Sequence, residues 1–357
     1  MDERTAWTTL AACPGLEPSS LRRLADGFGG ALQVLEAGPE QIRAAAFVRP
    51  RTASGVCDWL ARIRGKDVES ALARRGIRCL VQGDPGYPAP LSDLADPPRV
   101  LFTKGDIPVP WPRSIGVVGT RRATAYALEA AQWVAETLAG AGWNVVSGLA
   151  LGIDGQAHRA ALAAGRTTAV LGCGVDVCYP AQHQRLYEQV VASGLVISEY
   201  PPGMPVARHH FPERNRIIAA LSEAIVVIQA GERSGALVTV DLALELGRDV
   251  YVVPGPITSL LFRGSNRLLQ QGAQPLVDPL DLIQERGGER RPAAAAAPVP
   301  ERWRPLYEAL AEGASPAALA EWLQVPLGQV YAGLLELELA GVVEKRPGGG
   351  YRRVHRA

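Results

Sequence analysis

An α/β fold, a doubly wound parallel sheet with a smaller helical unit at either end, is what this sequence predicts, and three observations predict it. Between residues 114 and 255, six short apolar runs (IGVVG, NVVSG, TTAVLG, LVISE, AIVVIQ and VYVVPG) alternate with helical segments. The runs are continuous in Val, Ile and Leu, the pattern of strands covered on both faces. Each run ends in glycine or a polar residue, which marks a turn into the next helix.

The elements follow in order. Residues 1–75 read as a helical domain: CPGLEPSSLRRLADGFGGALQVLEAG is a helix, a short Pro-Gly turn and another helix. Residues 76–112 carry GDPGYPAPLSDLADPPRVLFTKGDIPVPWP, whose prolines predict an extended connector poor in strands. Core helices are expected over 125–139, 156–164, 182–192, 212–221 and 236–246, joined to the strands by right-handed crossovers. The whole core, Rossmann-like in its alternation, spans 76–285. A charged, then Pro/Ala-rich linker covers 286–301. Residues 302–357 predict three helices (303–311, 316–323 and 327–340), with Ser315 as an N-cap and Gly341 as a stop, then a hairpin on the PGGG turn. Three helices and a hairpin make a winged helix-turn-helix.

Bulk properties narrow the function. Hydrophobic residues are 47% and charged residues 20% of 357, the composition of a folded chain. A net charge of +1 excludes a protein coated in basic residues, so polyanion binding must come from a local patch. Lysine occurs only at 66, 104 and 345, leaving arginine as the main cation. The five cysteines are scattered and odd in number, which argues against a disulfide framework. Cys173 and Cys178 lack further ligands to complete a zinc site, and no metal or cofactor is expected. No signal peptide or membrane-length apolar run is evident, which predicts a cytoplasmic protein.

In an open parallel sheet, ligands bind beyond the carboxyl ends of the strands. Six loops meet that edge: Gly119-Thr120-Arg121, Ser147-Gly148-Leu149-Ala150, Gly172-Cys173-Gly174, 199–203, 231–235 with Arg233-Ser234-Gly235, and 254–256. Small residues expose backbone N–H groups, and helix starts add favourable dipole for an anion. The segment HHFPERNRIIAAL crowds Arg214, Asn215 and Arg216 at a helix start, with Pro212 suited to the first position. Like charges there are unfavourable unless an anion sits nearby. Spaced two apart, the arginines point to different sides, so only one need face the crevice while the other pairs with Glu213 or Glu223. Tyr179, Tyr200, Phe211 and His209 are candidate stacking platforms. Asp154 reads as a helix cap and His158 as a packed histidine. No G-x-S-x-G, H-E-x-x-H, P-loop or G-x-G-x-x-G stands in the chain, so binding without turnover is favoured. Repeated phosphate contacts beside stackable rings suit single-stranded nucleic acid.

The stretches GVVGTRRAT, VVSGLALGIDGQAH, AVLGCGVDVCYP, SEYPPG, HHFPERNRIIAALS, ERSGALVTVDLALELGRDVYVVPG and GSNRLLQQGA, in this order across 77–280, resemble the DNA-processing protein A (DprA/Smf) family. The resemblance implies a single-stranded DNA binder that protects incoming strands in natural transformation, loads the RecA recombinase and works as a homodimer through its core; the sequence does not give the dimer surface, for which Leu268 and Leu269 are candidates. It also implies that Arg121 is the arginine of a G-[ST]-R phosphate motif, that 211–216 match F-P-x-R-N-R, and that Arg233-Ser234-Gly235 match R-S-G. Two positions depart from the family's basic residues: Leu151 and Ala181. Arg122 or Arg185 would compensate, and His183 lies nearby. The third winged-helix helix offers no base-reading cation, so this unit is expected either to make backbone contacts through the wing, at Lys345, Arg346, Arg352 and Arg353, or to bind a protein partner. In PGLEP, Glu17 breaks a helix-hairpin-helix G-x-G, which points to a structural or protein-contact role. The rival reading is a nucleotide-processing phosphoribohydrolase of the lysine-decarboxylase-like group, although its P-G-G-x-G-T-x-x-E is missing. A third, a duplex-reading regulator, rests on the winged helix alone.

Overall fold

The computed structural model describes residues 1–287, 299–310, 315–345 and 350–353. The chain divides into two compact units, Met1–Gly287 and Gly288–Ala357. Among the described residues, no helix is long and apolar enough to cross a membrane.

The first unit opens with six helices: α1 (Glu3–Ala11), α2 (Pro18–Phe28), α3 (Ala31–Glu36), α4 (Pro39–Ala44), α5 (Pro50–Ile63) and α6 (Val68–Ala73). Asp2 caps α1 by accepting from the Thr5 N–H, and Gly29 ends α2 in the left-handed region that favours glycine. The helices share one apolar core with the edge of the sheet: Leu10, Leu24 and Val56 cluster with Phe102, Leu171 and Val196. Ion pairs Arg4–Asp84, Arg22–Asp96 and Arg75–Asp176 tie the same layers together.

Two strands follow, β1 (Arg78–Val81) and β2 (Val100–Gly105). They correct the expectation of a strand-poor connector. Both are short, and the proline-rich loop between them masks their apolar content. They pair antiparallel with each other, and β2 extends the sheet antiparallel to its sixth strand.

The core then alternates β3 (Ser114–Val118), α7 (Ala125–Gly140), β4 (Asn144–Ser147), α8 (Ile153–Ala164), β5 (Arg166–Leu171), α9 (Gln184–Ser193), β6 (Leu195–Ser198), α10 (His210–Leu221), β7 (Ala224–Val227), α11 (Gly235–Glu245), β8 (Asp249–Val252), α12 (Arg263–Gln270), β9 (Gln274–Pro275) and α13 (Pro279–Glu285). The nine strands lie in the order β1-β2-β6-β5-β4-β3-β7-β8-β9, parallel from β6 to β9. Successive strand residues face opposite sides. Ile115, Val117 and Val145 pack under α7 and α8, while Val118, Val146 and Val170 pack under α10 and α11. Burial on both faces is why the strands read as unbroken apolar runs. Strand order reverses between β3 and β7, so a crevice opens at their carboxyl ends.

The second unit holds α14 (Arg304–Ala309), α15 (Pro316–Leu323), α16 (Leu327–Leu339) and the antiparallel pair β10 (Val343–Lys345) and β11 (Tyr351–Arg353). Ser315 caps α15 through the Ala318 N–H. Leu306, Leu319, Leu334, Leu337 and Tyr351 form its own small core.

Candidate functional site

The crevice at the β3/β7 switch point is a pocket of about 400 Å³. The first turns of α8, α10 and α11 converge on it, contributing Asp154, Pro212 and Gly235. The dipoles of three helix starts give it a positive bias. Ser234 caps α11, its Oγ accepting from the Ala236 N–H at 3.3 Å. Gly235 is exposed, and a Cβ there would meet nothing, so backbone is open to a ligand.

Arg121 leaves the end of β3 and stands exposed on the rim. Its guanidinium lies 4.8 Å from the Phe211 ring centroid, and Phe211 lies 5.6 Å from Tyr179. The three form a ladder of planar groups, its two rings tilted by 39° and two of its three members exposed. Among the described residues, Arg121, Arg122 and Arg233 are exposed without an acidic partner. Thr120 holds the loop from beneath: its N–H donates to the Gln229 carbonyl at 2.8 Å, and its Oγ1 accepts from the Arg122 N–H at 3.2 Å. Gly119 packs against Ile153, where a Cβ would fall 2.6 Å from a side-chain carbon.

The paired arginines of α10 do something different from what the sequence suggested. The helix begins at His210, so Pro212 is its third residue, still in the first turn where no N–H is needed. Arg214 is buried and floors the pocket, with its Nη1 donating to the carbonyls of Gly148 (2.7 Å) and Val170. It neutralises the carbonyl ends of β4 and β5, not a free anion. Asp154 sits nearby, accepting from the Gly148 N–H at 3.1 Å; burial pushes its carboxyl up, and Arg214 opposes that. Arg216 turns to the other side and pairs with buried Glu199 at 2.5 Å, also donating to the Asp96 carbonyl at 2.8 Å. Glu213 instead accepts from the Tyr200 hydroxyl, and Glu223 pairs with Arg113. Asn215 lines the pocket and accepts from the Arg214 Nε at 3.2 Å.

Ser147, Gly148, Gly172 and Gly174 are all buried, which corrects the expectation of open backbone there. The Ser147 hydroxyl donates to the Val117 carbonyl at 2.6 Å. A Cβ on Gly148 would lie 2.4 Å from the Arg214 guanidinium, and one on Gly174 would lie 2.7 Å from the Gly203 nitrogen. These residues permit close packing behind the groove. Tyr200 is likewise buried, so it is no platform.

Two histidines shape the loop after β4. Leu149 carries φ +56°, a strained conformation for leucine. Its N–H donates to His158 Nε2 at 3.3 Å and its carbonyl meets His183 Nδ1 at 3.0 Å. His158 Nδ1 lies 2.7 Å from the Thr167 hydroxyl, which donates to the Val145 carbonyl at 2.7 Å. That chain needs a neutral imidazole, and burial depresses His158 to about 3. Asp154 lies inside α8, whose N-cap is Gly152, so it braces the loop instead of capping the helix. His183 is buried, whereas Leu151, Ala181 and Arg185 are exposed.

In the second unit, the wing cations are partly engaged. Arg353 donates to the Tyr307 and Glu308 carbonyls at the end of α14, at 2.7 and 2.5 Å, and stacks on the Tyr307 ring. Lys345 stands exposed, 6.0 Å from the Tyr351 ring centroid. Arg346 lies outside the described residues, as does the side chain of Arg352. On α16, Leu327, Tyr331, Leu335 and Leu339 are exposed at four-residue spacing, with Trp322 exposed on α15. Sequence reasoning missed this stripe, though its i, i+4 period was there to read.

Residues 78–287 match the family described as DNA recombination-mediator protein A, and residues 290–349 match the DprA winged helix domain. Protein Smf of Synechocystis is 31% identical over 398 residues, covering 98% of this chain and 99% of that one. The structure of DNA processing protein A from Streptococcus pneumoniae aligns with a TM-score of 0.65 at 32% identity, over 80% of this chain and 98% of that one. A Helicobacter pylori DNA processing protein A, described for its single-stranded DNA binding mode, aligns with a TM-score of 0.54 at 29% identity, over 60% and 97%.

Proposed function

The chain belongs to the DNA recombination-mediator protein A family, and from that premise we propose that it binds single-stranded DNA across the crevice at the β3/β7 switch point. The observation that carries this reading is the rim ladder of Arg121, Phe211 and Tyr179 beside exposed Arg122 and Arg233. Exposed arginines engage phosphates, and rings accept unpaired bases at about 1–3 kcal/mol each. Thr120, Ser234 and Gly235 present the pocket wall to the strand, and Asn215 its floor. Arg214, Arg216, Ser147, Gly148, Gly172 and Gly174 act from behind, holding the wall in place.

The protein is a binder without turnover, protecting strands in the cytoplasm during natural transformation and passing them to RecA as a homodimer. Leu268 and Leu269 are half-buried against the core, and the segment leading into their helix exposes Ile257, Leu260 and Leu261, which supports a dimer surface on this stretch of chain. The apolar stripe on α16 fits a protein partner better than a DNA groove, where arginine or asparagine would be needed. A phosphoribohydrolase would need reactive carboxylates facing the ligand; the pocket lining offers Asp154 alone, buried and bonded to Gly148.

Fluorescence anisotropy with labelled single-stranded and duplex oligonucleotides of equal length tests the reading. Clear preference for the single strand is expected. Equal affinity for both, or release of free base from nucleoside monophosphates, would overturn it.

A further inference from the structure

Away from the crevice, His209, His210 and Glu17 bring three ligand atoms within 4.8 Å of one another. Glu17 stands at the start of α2, and the histidines at the start of α10. The residues lie 192 positions apart, so no spacing motif announces them.

His210 is 2% exposed. Its Nδ1 lies 3.1 Å from the Gly172 carbonyl, which can only accept, so Nδ1 carries the proton and Nε2 presents a lone pair. Among the described residues, that buried Nε2 has no hydrogen-bond partner. It faces Glu17 Oε1 at 3.8 Å, too far for a hydrogen bond. Glu17 Oε1 in turn lies 3.4 Å from His209 Nε2. A backbone carbonyl fixing one ring nitrogen while the other aims outward is the usual support of a metal-bound histidine. Ligand atoms around tetrahedral zinc are about 3.3 Å apart, from bond lengths near 2 Å. The Glu17–His209 separation of 3.4 Å is already close to that, and the Glu17–His210 separation of 3.8 Å is about 0.5 Å longer.

The start of α10 disfavours a cation through its dipole. The Glu17 carboxylate, its Oε1 3.8 Å from His210 Nε2 and 3.4 Å from His209 Nε2, supplies the opposing negative charge. Tyr200 stacks on the His210 ring at 4.0 Å and fixes its plane.

We propose that Glu17, His209 and His210 form a zinc site, with water as fourth ligand, that fastens the N-terminal helical layer to the first turn of α10. The fastened turn carries Phe211, the middle rung of the rim ladder, so occupancy stiffens the DNA rim from behind.

The test is zinc titration of the metal-free full chain by calorimetry against a weak competing chelator. Glu17→Gln and His209→Ala are run alongside, because both sites are partly exposed and both variants should fold. One zinc per chain is expected, weakened at least about tenfold by either substitution. Cobalt(II) in its place should give tetrahedral bands without thiolate charge transfer. No saturable binding, binding unchanged in both variants, or a thiolate band from the cysteines would overturn the proposal.

Discussion

Replacing Arg214 with methionine separates the floor of the crevice from its rim. The guanidinium is buried and serves the carbonyls of Gly148 and Val170, with Asp154 close by. Hydrogen bonds from a charged donor contribute about 1.5–3 kcal/mol each. Methionine keeps the length of the side chain but leaves two buried carbonyls under-satisfied and removes the positive charge beside buried Asp154. Breaking such a cluster costs about 3–5 kcal/mol, since the terms do not add fully. In a unit of this size, that lowers the melting temperature on the order of 10 °C. The assay is thermal unfolding by circular dichroism, paired with single-strand titration at a temperature where both proteins are folded. A large drop in melting temperature with affinity falling only modestly is expected. An unchanged melting temperature with affinity lost more than about tenfold would refute the assignment, because it would make Arg214 a direct DNA contact.

Acid should weaken the fold through His158: its folded value of about 3 lies below the unfolded value of 6.5, so its contribution is intact above 6.5 and lost as pH falls toward 3. The loss is about 1.4 kcal/mol per pH unit, or about 2 kcal/mol near pH 5, read from urea midpoints; a flat midpoint across that window would count against a neutral buried imidazole. Gly152→Ala should destabilise by about 1–3 kcal/mol or more in the same assay, because φ is +76° and the new Cβ would fall 2.4 Å from the Thr120 carbonyl oxygen; wild-type stability would show that the loop tolerates a side chain. Leu335→Glu should leave stability within about 0.5 kcal/mol and single-strand affinity unchanged, as expected of an exposed stripe reserved for a partner; a clear loss of stability would mean the stripe is packed within the chain.

The sheet was legible because burial on both faces writes each strand as an unbroken Val/Ile/Leu run. The edge strands β1 and β2 were not, because each is short and sits beside prolines that signal loop. The rim was legible as far as Arg121 and the Ser234-Gly235 turn. Which of Arg214 and Arg216 would face the groove was not: residues two apart diverge around a helix, and here Glu199 captured one while strand carbonyls captured the other. Gly148, Gly172 and Gly174 looked like ligand turns because glycine for backbone access and glycine for close packing read alike. Long-range pairs such as Glu17 with His209 leave no local trace.

The most direct test of the central claim is the salt dependence of single-strand affinity for wild type and Arg121→Ala. Loss of one phosphate contact predicts a log K against log salt slope shallower by about 0.7, with affinity down roughly tenfold or more at low salt. Identical slopes and affinities would contradict the account, placing the DNA somewhere other than the Arg121 rim.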